Sequence, residues 1–413
     1  MLAIPPERSL QRKRAYRRMK AARSAPFSMP LPNPQQQLAY FKQRERKILD
    51  TIQQLVEIES PSDVKAAVDR LGTVLASRFG ELGGKVKIHR TEKFGNHLQI
   101  DFRGESRAAK PLLLLGHMDT VYGIGTISRM KCRVAKGRMF GPGVLDMKAG
   151  IALVLHVMEA LLKWSGGCMP RPGTILLVAD EEVGSVSSRA ITEKLARQSE
   201  AALVLEPAAG LNGAVKTARK GVGSYTLQVS GVAAHAGLDF AKGQSAVVEL
   251  AQQIIAISKL AEGLDGVTVN VGKIGGGTRV NVVPAEAAAQ IDVRVSTATQ
   301  GEEMRRRLLA QKPVNPHCKL AISGGMNRPP MERTEGVASL YAKAQQIARE
   351  LGWELEEAAV GGGSDGNFTA ALGIPTLDGL GAVGEGAHAE HESIVIEELP
   401  RRAALLAGLI LAV

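Results

Sequence analysis

A chain of 413 residues, 45% apolar and 23% charged, is long enough for more than one hydrophobic core and ordinary enough for a globular enzyme. Cys132, Cys168 and Cys318 are odd in number and lack motif spacing, which excludes a disulfide framework and a zinc ribbon. Of the net charge of +11, +7 lies in residues 1–34, so the remainder carries only +4 and gives no nucleic-acid signal.

That first segment sets Arg8, Arg12, Lys13, Arg14, Arg17, Arg18, Lys20 and Arg23 against Glu7 alone. Pro5, Pro6, Pro26, Pro30, Pro32 and Pro34 suit neither helix nor strand, and a disordered basic arm is expected over 1–34. No apolar run follows Arg17-Arg18, so no export signal is expected. A cytoplasmic location follows as the expectation, with periplasmic and secreted placements left open. No stretch approaches the roughly 20 apolar residues of a membrane span.

Leu38, Phe41, Ile48, Ile52, Leu55 and Ile58 fall near a 3.6 period and predict one amphipathic helix over 36–60. A second helix is expected over 63–82, then strands at 85–89 and 97–102. The apolar run Pro111–Leu115 fits a strand covered on both faces, as do Thr174–Val178 and Ala202–Leu205, with a buried helix from Met147 to Leu162. Strands alternating with helices predict an α/β fold with a mostly parallel sheet covered by helices. After about Thr217 the strands alternate as if half exposed, at 224–230, 266–273 and 285–295, with helices at 244–260 and 299–309. This predicts a smaller inserted α+β domain, with Ser323-Gly324-Gly325 and Pro329-Pro330 marking the return. The expected division is arm 1–34, first catalytic part 35–217, insertion 218–325 and second catalytic part 326–413.

The chemistry-bearing residues stand just after these apolar runs or in Gly-rich turns. His117 and Asp119 are at i and i+2, on one side of an extended segment, so one can ligate a cation while the other accepts from the second ring nitrogen. Asp146 precedes a helix in Gly141–Lys148 and reads either as a helix cap or as a carboxylate shared by two cations. Asp180-Glu181-Glu182 repel one another unless cations neutralise them, with Glu182 as ligand and Glu181 facing substrate as base. Glu206 ends another buried run, and His388 lies in a Gly-rich turn beside a competitor, His391. Imidazole and carboxylate ligands without cysteine suit borderline and hard divalent cations, and the set reads as a two-metal hydrolase. His156, inside an apolar helix, reads as a core histidine.

The strings GHMDTVYG, GPGVLDMKAG, VADEEVGS, VLEPA, AAHAG, GGTRVNVVPAEA, GGGSDGN and GAHAEHE, in this order, resemble the zinc-dependent metallopeptidase family of glutamate carboxypeptidases, acetylornithine and succinyl-diaminopimelate deacylases and aminoacylases. The resemblance covers about residues 40–413 and implies two Zn2+, with Co2+ or Mn2+ as substitutes. It puts His117 and Glu206 on one ion, Glu182 and His388 on the other, and Asp146 between them. It also implies that Asp119 orients His117, that Glu181 is the general base and acid, and that His235 stabilises the oxyanion, often across a dimer. Arg279, Asn281, Gly362, Gly363 and Ser364 match the family's substrate contacts, and the inserted domain is its lid and dimerisation element. AAHAG followed by Lys242–Ala246, with IESPSDVKAAVD near the start, is similar to the glutamate carboxypeptidase branch. Release of a C-terminal glutamate from a small peptide, folate-type or N-acyl substrate is therefore expected. An N-acyl amino-acid deacylase is the alternative, and a non-catalytic binding protein on the same fold a further one.

Overall fold

The computed structural model describes residues 31–106 and 108–413, so residues 1–30 of the expected basic arm lie outside it. Pro34, counted above with the arm, instead opens a helix, with the Asn33 side chain and Gln36 completing a capping box. The single helix expected over 36–60 is two: α1 (Pro34–Lys42) and α2 (Glu45–Val56). Arg44 breaks the run at φ −107° and ψ 4°, its guanidinium stacked 4.1 Å from the Tyr40 ring. The apolar period continues across the break because both segments face one core, which is why it reads as one helix.

The central sheet contains β1 (Lys85–His89), β2 (His97–Phe102), β3 (Leu112–His117), β4 (Gly173–Val178) and β5 (Ala201–Val204), in the order β1-β2-β4-β3-β5, with the short strand Thr376–Leu377 at its far edge. β3, β4, β5 and the edge strand are mutually parallel, while β2 pairs antiparallel with both of its neighbours, β1 and β4. Alternation along β3 explains its apolar composition. Leu112 and Leu114 join one large core with α2, α3 (Lys65–Glu81), α4 (Ala149–Trp164) and the C-terminal helix Leu399–Ala412. Leu113 and Leu115 face the opposite cluster around Leu195, Ala196, Leu176 and Val204. A strand buried on both faces needs apolar residues at every position.

A second sheet holds β6 (Gly221–Ser230), β7 (Thr268–Gly276), β8 (Glu286–Val295) and β9 (Lys319–Arg328), in the fully antiparallel order β7-β8-β6-β9. Its own core is built from Tyr225, Leu227, Val229, Ile291 and Val293 against Leu250 and Ile257 of one helix and Met304 and Leu308 of another. Ser323-Gly324-Gly325, expected to mark the return from the insertion, lies inside β9. Gly324 sits at φ +115°, where a Cβ would strike the Ser224 backbone of β6, so the glycine serves close strand approach rather than chain reversal.

The register ends β3 and β4 level, His117 pairing with Val178, while β5 ends two residues short, Val204 pairing with Leu115. The start of α4 is pressed against the end of β5, where a Cβ on Gly150 would collide with the Leu205 carbonyl oxygen. Gly150→Ala raises helix propensity by about 1 kcal/mol. We nevertheless expect a net loss of about 1–3 kcal/mol in urea denaturation, because overpacking outweighs it. An unchanged or increased stability would contradict this helix–strand contact.

Candidate metal centre

His117 is the last residue of β3 and is almost fully buried. Its Nδ1 lies 2.9 Å from the backbone carbonyl of Asp119 and 3.6 Å from that residue's carboxylate. The carbonyl is thus the nearer group orienting the ring. The Asp119 carboxylate mainly holds the acidic loop, accepting from the Glu181 N–H at 3.3 Å, the Glu182 N–H at 3.2 Å and Ser62 Oγ at 2.7 Å. A proton on Nδ1 leaves Nε2 as the lone pair that faces outward, 3.0 Å from Asp146 Oδ1 and 3.6 Å from Glu206 Oε1.

Asp146 is not a helix cap. α4 begins at Ala149 with Lys148 at its N-cap, and the Asp146 carboxylate lies between two imidazoles. Oδ1 meets His117, while Oδ2 lies 3.4 Å from His388 Nε2. The same His388 nitrogen is 3.2 Å from Glu182 Oε2, and Glu182 Oε1 is buried without a hydrogen-bond partner. Ligand atoms of His117, Asp146 and Glu182 lie within 4.8 Å of one another, and so do those of His117, Glu181 and Glu206. Two imidazole nitrogens, a carboxylate directed both ways and an orphaned buried carboxylate oxygen fit divalent cations of the zinc type. His391, the competitor, has no contact with this cluster among the hydrogen bonds and ion pairs of the described residues.

The charges explain the electrostatics. Burial, then the Asp146 charge, pushes Glu206 up to about 7. Hydrogen bonds with Asp146 and Glu182 draw His388 up to about 10. Burial resists a proton on His117, yet its contacts with Asp119 and Asp146 hold its pKa well above the ordinary value. Burial also raises Glu181 well above the carboxylate range, only partly opposed by Arg328. Asp146 goes the other way: burial opposes its charge, but hydrogen bonds with His117 and His388 hold it well below the carboxylate range. Imidazoles drawn to charge around an ionised carboxylate are what a ligand set for cations produces, since the cation replaces those protons.

Two buried arginines that sequence reading missed flank the cluster. Arg219 grips Asp378 through Nε at 2.7 Å and Nη2 at 2.9 Å, and reaches Glu206 Oε2 at 3.2 Å. Arg328, the last residue of β9, donates to Glu181 Oε1 at 2.9 Å, Asp365 Oδ1 at 2.6 Å and Ser185 Oγ at 2.9 Å. Neither belongs to a recognisable string, and only the excess of buried acids could have signalled that cations stand nearby.

The remaining expected residues lie apart from the ligands. His235 is exposed on a two-residue ladder with Val282, beside Asn281, whose carbonyl accepts the Ala236 N–H at 3.0 Å. His235 Nδ1 accepts the N–H groups of Gly237 at 3.1 Å and Leu238 at 3.2 Å, which leaves Nε2 to carry the proton and act as donor. Arg279 is exposed on the same ladder's connection. The Gly362 and Gly363 carbonyls accept from Arg219, and the Ser364 hydroxyl donates to Asp378 at 2.6 Å, so that hydroxyl is engaged inside the protein. His156 is a core residue hydrogen-bonded to Thr51 at 3.0 Å.

The model of peptidase family M20/M25/M40 matches residues 113–412. The chain belongs to this family. This M20 chain is 29% identical over 370 residues to carboxypeptidase G2 of Pseudomonas sp. (strain RS-16), covering 88% of each. It is 28% identical over 384 residues to succinyl-diaminopimelate desuccinylase of Thioalkalivibrio sulfidiphilus, covering 88% of this chain and 97% of that protein. A tripeptidase structure from Staphylococcus aureus superposes with a TM-score of 0.74 at 24% identity, covering 89% of this chain and 97% of that one. An M20 family metallo-carboxypeptidase from Sulfolobus solfataricus does so with a TM-score of 0.71 at 18% identity, covering 88% and 98%. The fold is shared with both structures, and the M20 chain is a metallohydrolase. No helix among the described residues is long and apolar enough to cross a membrane.

Replacing Arg219 with Met leaves Asp378 and Glu206 buried without their cation. We expect a loss of about 3–5 kcal/mol in chemical denaturation, because an uncompensated buried charge costs far more than the pair contributes. A loss below about 1 kcal/mol would show that these carboxylates are not held by Arg219.

Proposed function

We propose that this M20 metallohydrolase uses two zinc ions to hydrolyse an amide or peptide bond and release a C-terminal glutamate or similar acidic residue. The observation that carries the reading is the Asp146 carboxylate with one oxygen toward His117 and the other toward His388. In this reading His117 and Glu206 hold one ion, Glu182 and His388 hold the other, and Asp146 serves both. Two such ions, when bound, lower the pKa of water and polarise the scissile carbonyl.

Glu181 takes the proton of the attacking water and returns it to the leaving nitrogen. Arg328 fixes its carboxylate at 2.9 Å, which holds the group in place to accept and release that proton. His235, with Nε2 as its donor atom, stabilises the developing oxyanion. Because His235 is exposed and makes no hydrogen bond to the ligand cluster, it acts here on the centre of a second copy in a homodimer formed through the inserted region. Leu238 and Phe240, 80% and 69% exposed beside it, support that pairing. Arg279 and Asn281 on the same ladder, with the Gly362–Gly363 backbone, would meet the substrate carboxylate. The desuccinylase relative, nearly as similar as the carboxypeptidase, keeps N-acyl amino-acid deacylation as the second reading.

The test is glutamate release from an N-acyl-glutamate and a folate-type substrate by chelator-stripped protein, before and after zinc is restored. We expect zinc-dependent release, and a Glu181→Gln variant that keeps its zinc but loses roughly 10²–10⁴-fold in turnover. Release from acetylornithine or succinyl-diaminopimelate but not from glutamate substrates would establish the deacylase reading instead. A fully active Glu181→Gln variant would remove Glu181 as the base.

A further inference from the structure

Asp146 and His388 come from turns more than 240 residues apart, and neither turn is part of a long strand or helix that would fix it. One side chain joins them. Glu392, fully buried, accepts the N–H of Gly143 through Oε2 at 3.0 Å. Its Oε1 accepts the N–H of Leu145 at 2.7 Å and of Asp146 itself at 3.0 Å. Its backbone carbonyl takes a fourth, from Gly141, at 3.3 Å. The turn that carries the shared carboxylate thus wraps its amides around a single anion, as loops do around bound phosphate.

Glu392 stands four residues after His388, in a segment closed on itself. Ala389 N–H donates to the Gly386 carbonyl at 2.8 Å, and Glu392 N–H donates to the Ala389 carbonyl at 3.1 Å. The Tyr122 hydroxyl, just beyond His117 and Asp119, donates to the same Ala389 carbonyl at 3.0 Å. These ties matter because the His388 side chain is 50% exposed, against 2% for His117. Packing holds His117, but His388 has little packing, and its backbone adopts φ 65°. Its position relative to Asp146 therefore depends on the tether behind it.

We propose that Glu392 is a positioning residue that fixes the spacing between Asp146 and His388, and with it the affinity of the cation site these two share with Glu182. The inference rests on the two-metal reading above. Glutamine at 392 keeps size and shape but turns one carboxylate oxygen into an N–H donor, which then faces either the Gly143 amide or the Leu145 and Asp146 pair. The turn must shift on that side, and the shared carboxylate shifts with it. The His117 and Glu206 side of the centre, held by β3, β5 and Arg219, shares only the Asp146 carboxylate with this turn and so depends on the tether less.

The experiment is a competitive Zn2+ titration of the full chain against a chelator, for wild type and Glu392→Gln, with circular dichroism on the metal-free proteins. The expected result is two wild-type sites, of which one weakens roughly 10–100-fold in the variant while the other weakens clearly less. Unchanged affinity at both sites, or equal weakening at both, overturns the proposal. If Glu392→Gln does not fold, Tyr122→Phe, which removes the Ala389 tie and the phenol's contact with the Glu392 carboxylate, is judged by the same selective loss. A wild-type chain that binds fewer than two Zn2+ overturns the two-metal reading and this inference with it, whereas two wild-type sites untouched by substitution overturn this inference alone.

Discussion

The structure is organised around a concentration of buried carboxylates that cannot stand without positive charge. Asp146, Glu181, Glu182 and Glu206 converge at the ends of the parallel strands, with Asp119, Asp365, Asp378 and Glu392 behind them. Removing such charges from water costs several kcal/mol each unless they are paired or richly hydrogen-bonded. The surrounding elements supply those partners. Backbone amides cap Asp119 and Glu392, Arg219 holds Asp378 and Glu206, and Arg328 holds Asp365 and Glu181. The side toward Asp146, His117, Glu182 and His388 has imidazoles but no arginine among the described residues, and there divalent cations complete the balance in the proposed account.

This arrangement divides the work between the two sheets. The parallel strands set the positions of the proposed ligands because β3 and β4 end level and β5 ends two residues short, with Glu206 following, which is how open α/β sheets assemble sites along the carboxyl edge. The antiparallel sheet reaches the centre chiefly through Arg328, at the last position of β9, which grips the side chain and backbone of Glu181. Any shift of that sheet is therefore felt at the proposed base before it is felt at the ligands. His235 lies on a separate two-stranded ladder with Asn281 beside it, so the donors proposed for substrate stand on a different sheet from the ligands proposed for cations.

Much of this was legible in the sequence, for physical reasons. A strand buried on both faces must be apolar throughout, so β3, β4 and β5 declared themselves. A carboxylate or imidazole immediately after such a run stands at the carboxyl edge of the sheet, where a buried charge persists only if something neutralises it. The mostly parallel sheet and its helical cover followed from the alternation of runs. What remained hidden depended on distant partners. Arg219 and Arg328 read like any surface arginine, because nothing local shows that Asp378 lies 159 residues away or Glu181 147 residues away. Glu392 and Tyr122 sat inside matched strings without an evident task, since their acceptors and donors come from other turns. Ser323-Gly324-Gly325 points to a domain boundary because sequence does not distinguish glycines at such a boundary from one needed for close strand approach. The break at Arg44 left no mark in the apolar period.

The central claim is that Asp146 serves two cations at once. Crystals of the protein grown with zinc, measured by anomalous scattering at the zinc edge, test it most directly. The account predicts two peaks roughly 3.5–4 Å apart, one on each side of the Asp146 carboxylate. One peak should carry His117 and Glu206, and the other Glu182 and His388. A single peak that leaves Asp146 with one free oxygen, or zinc bound away from this carboxylate, would contradict it.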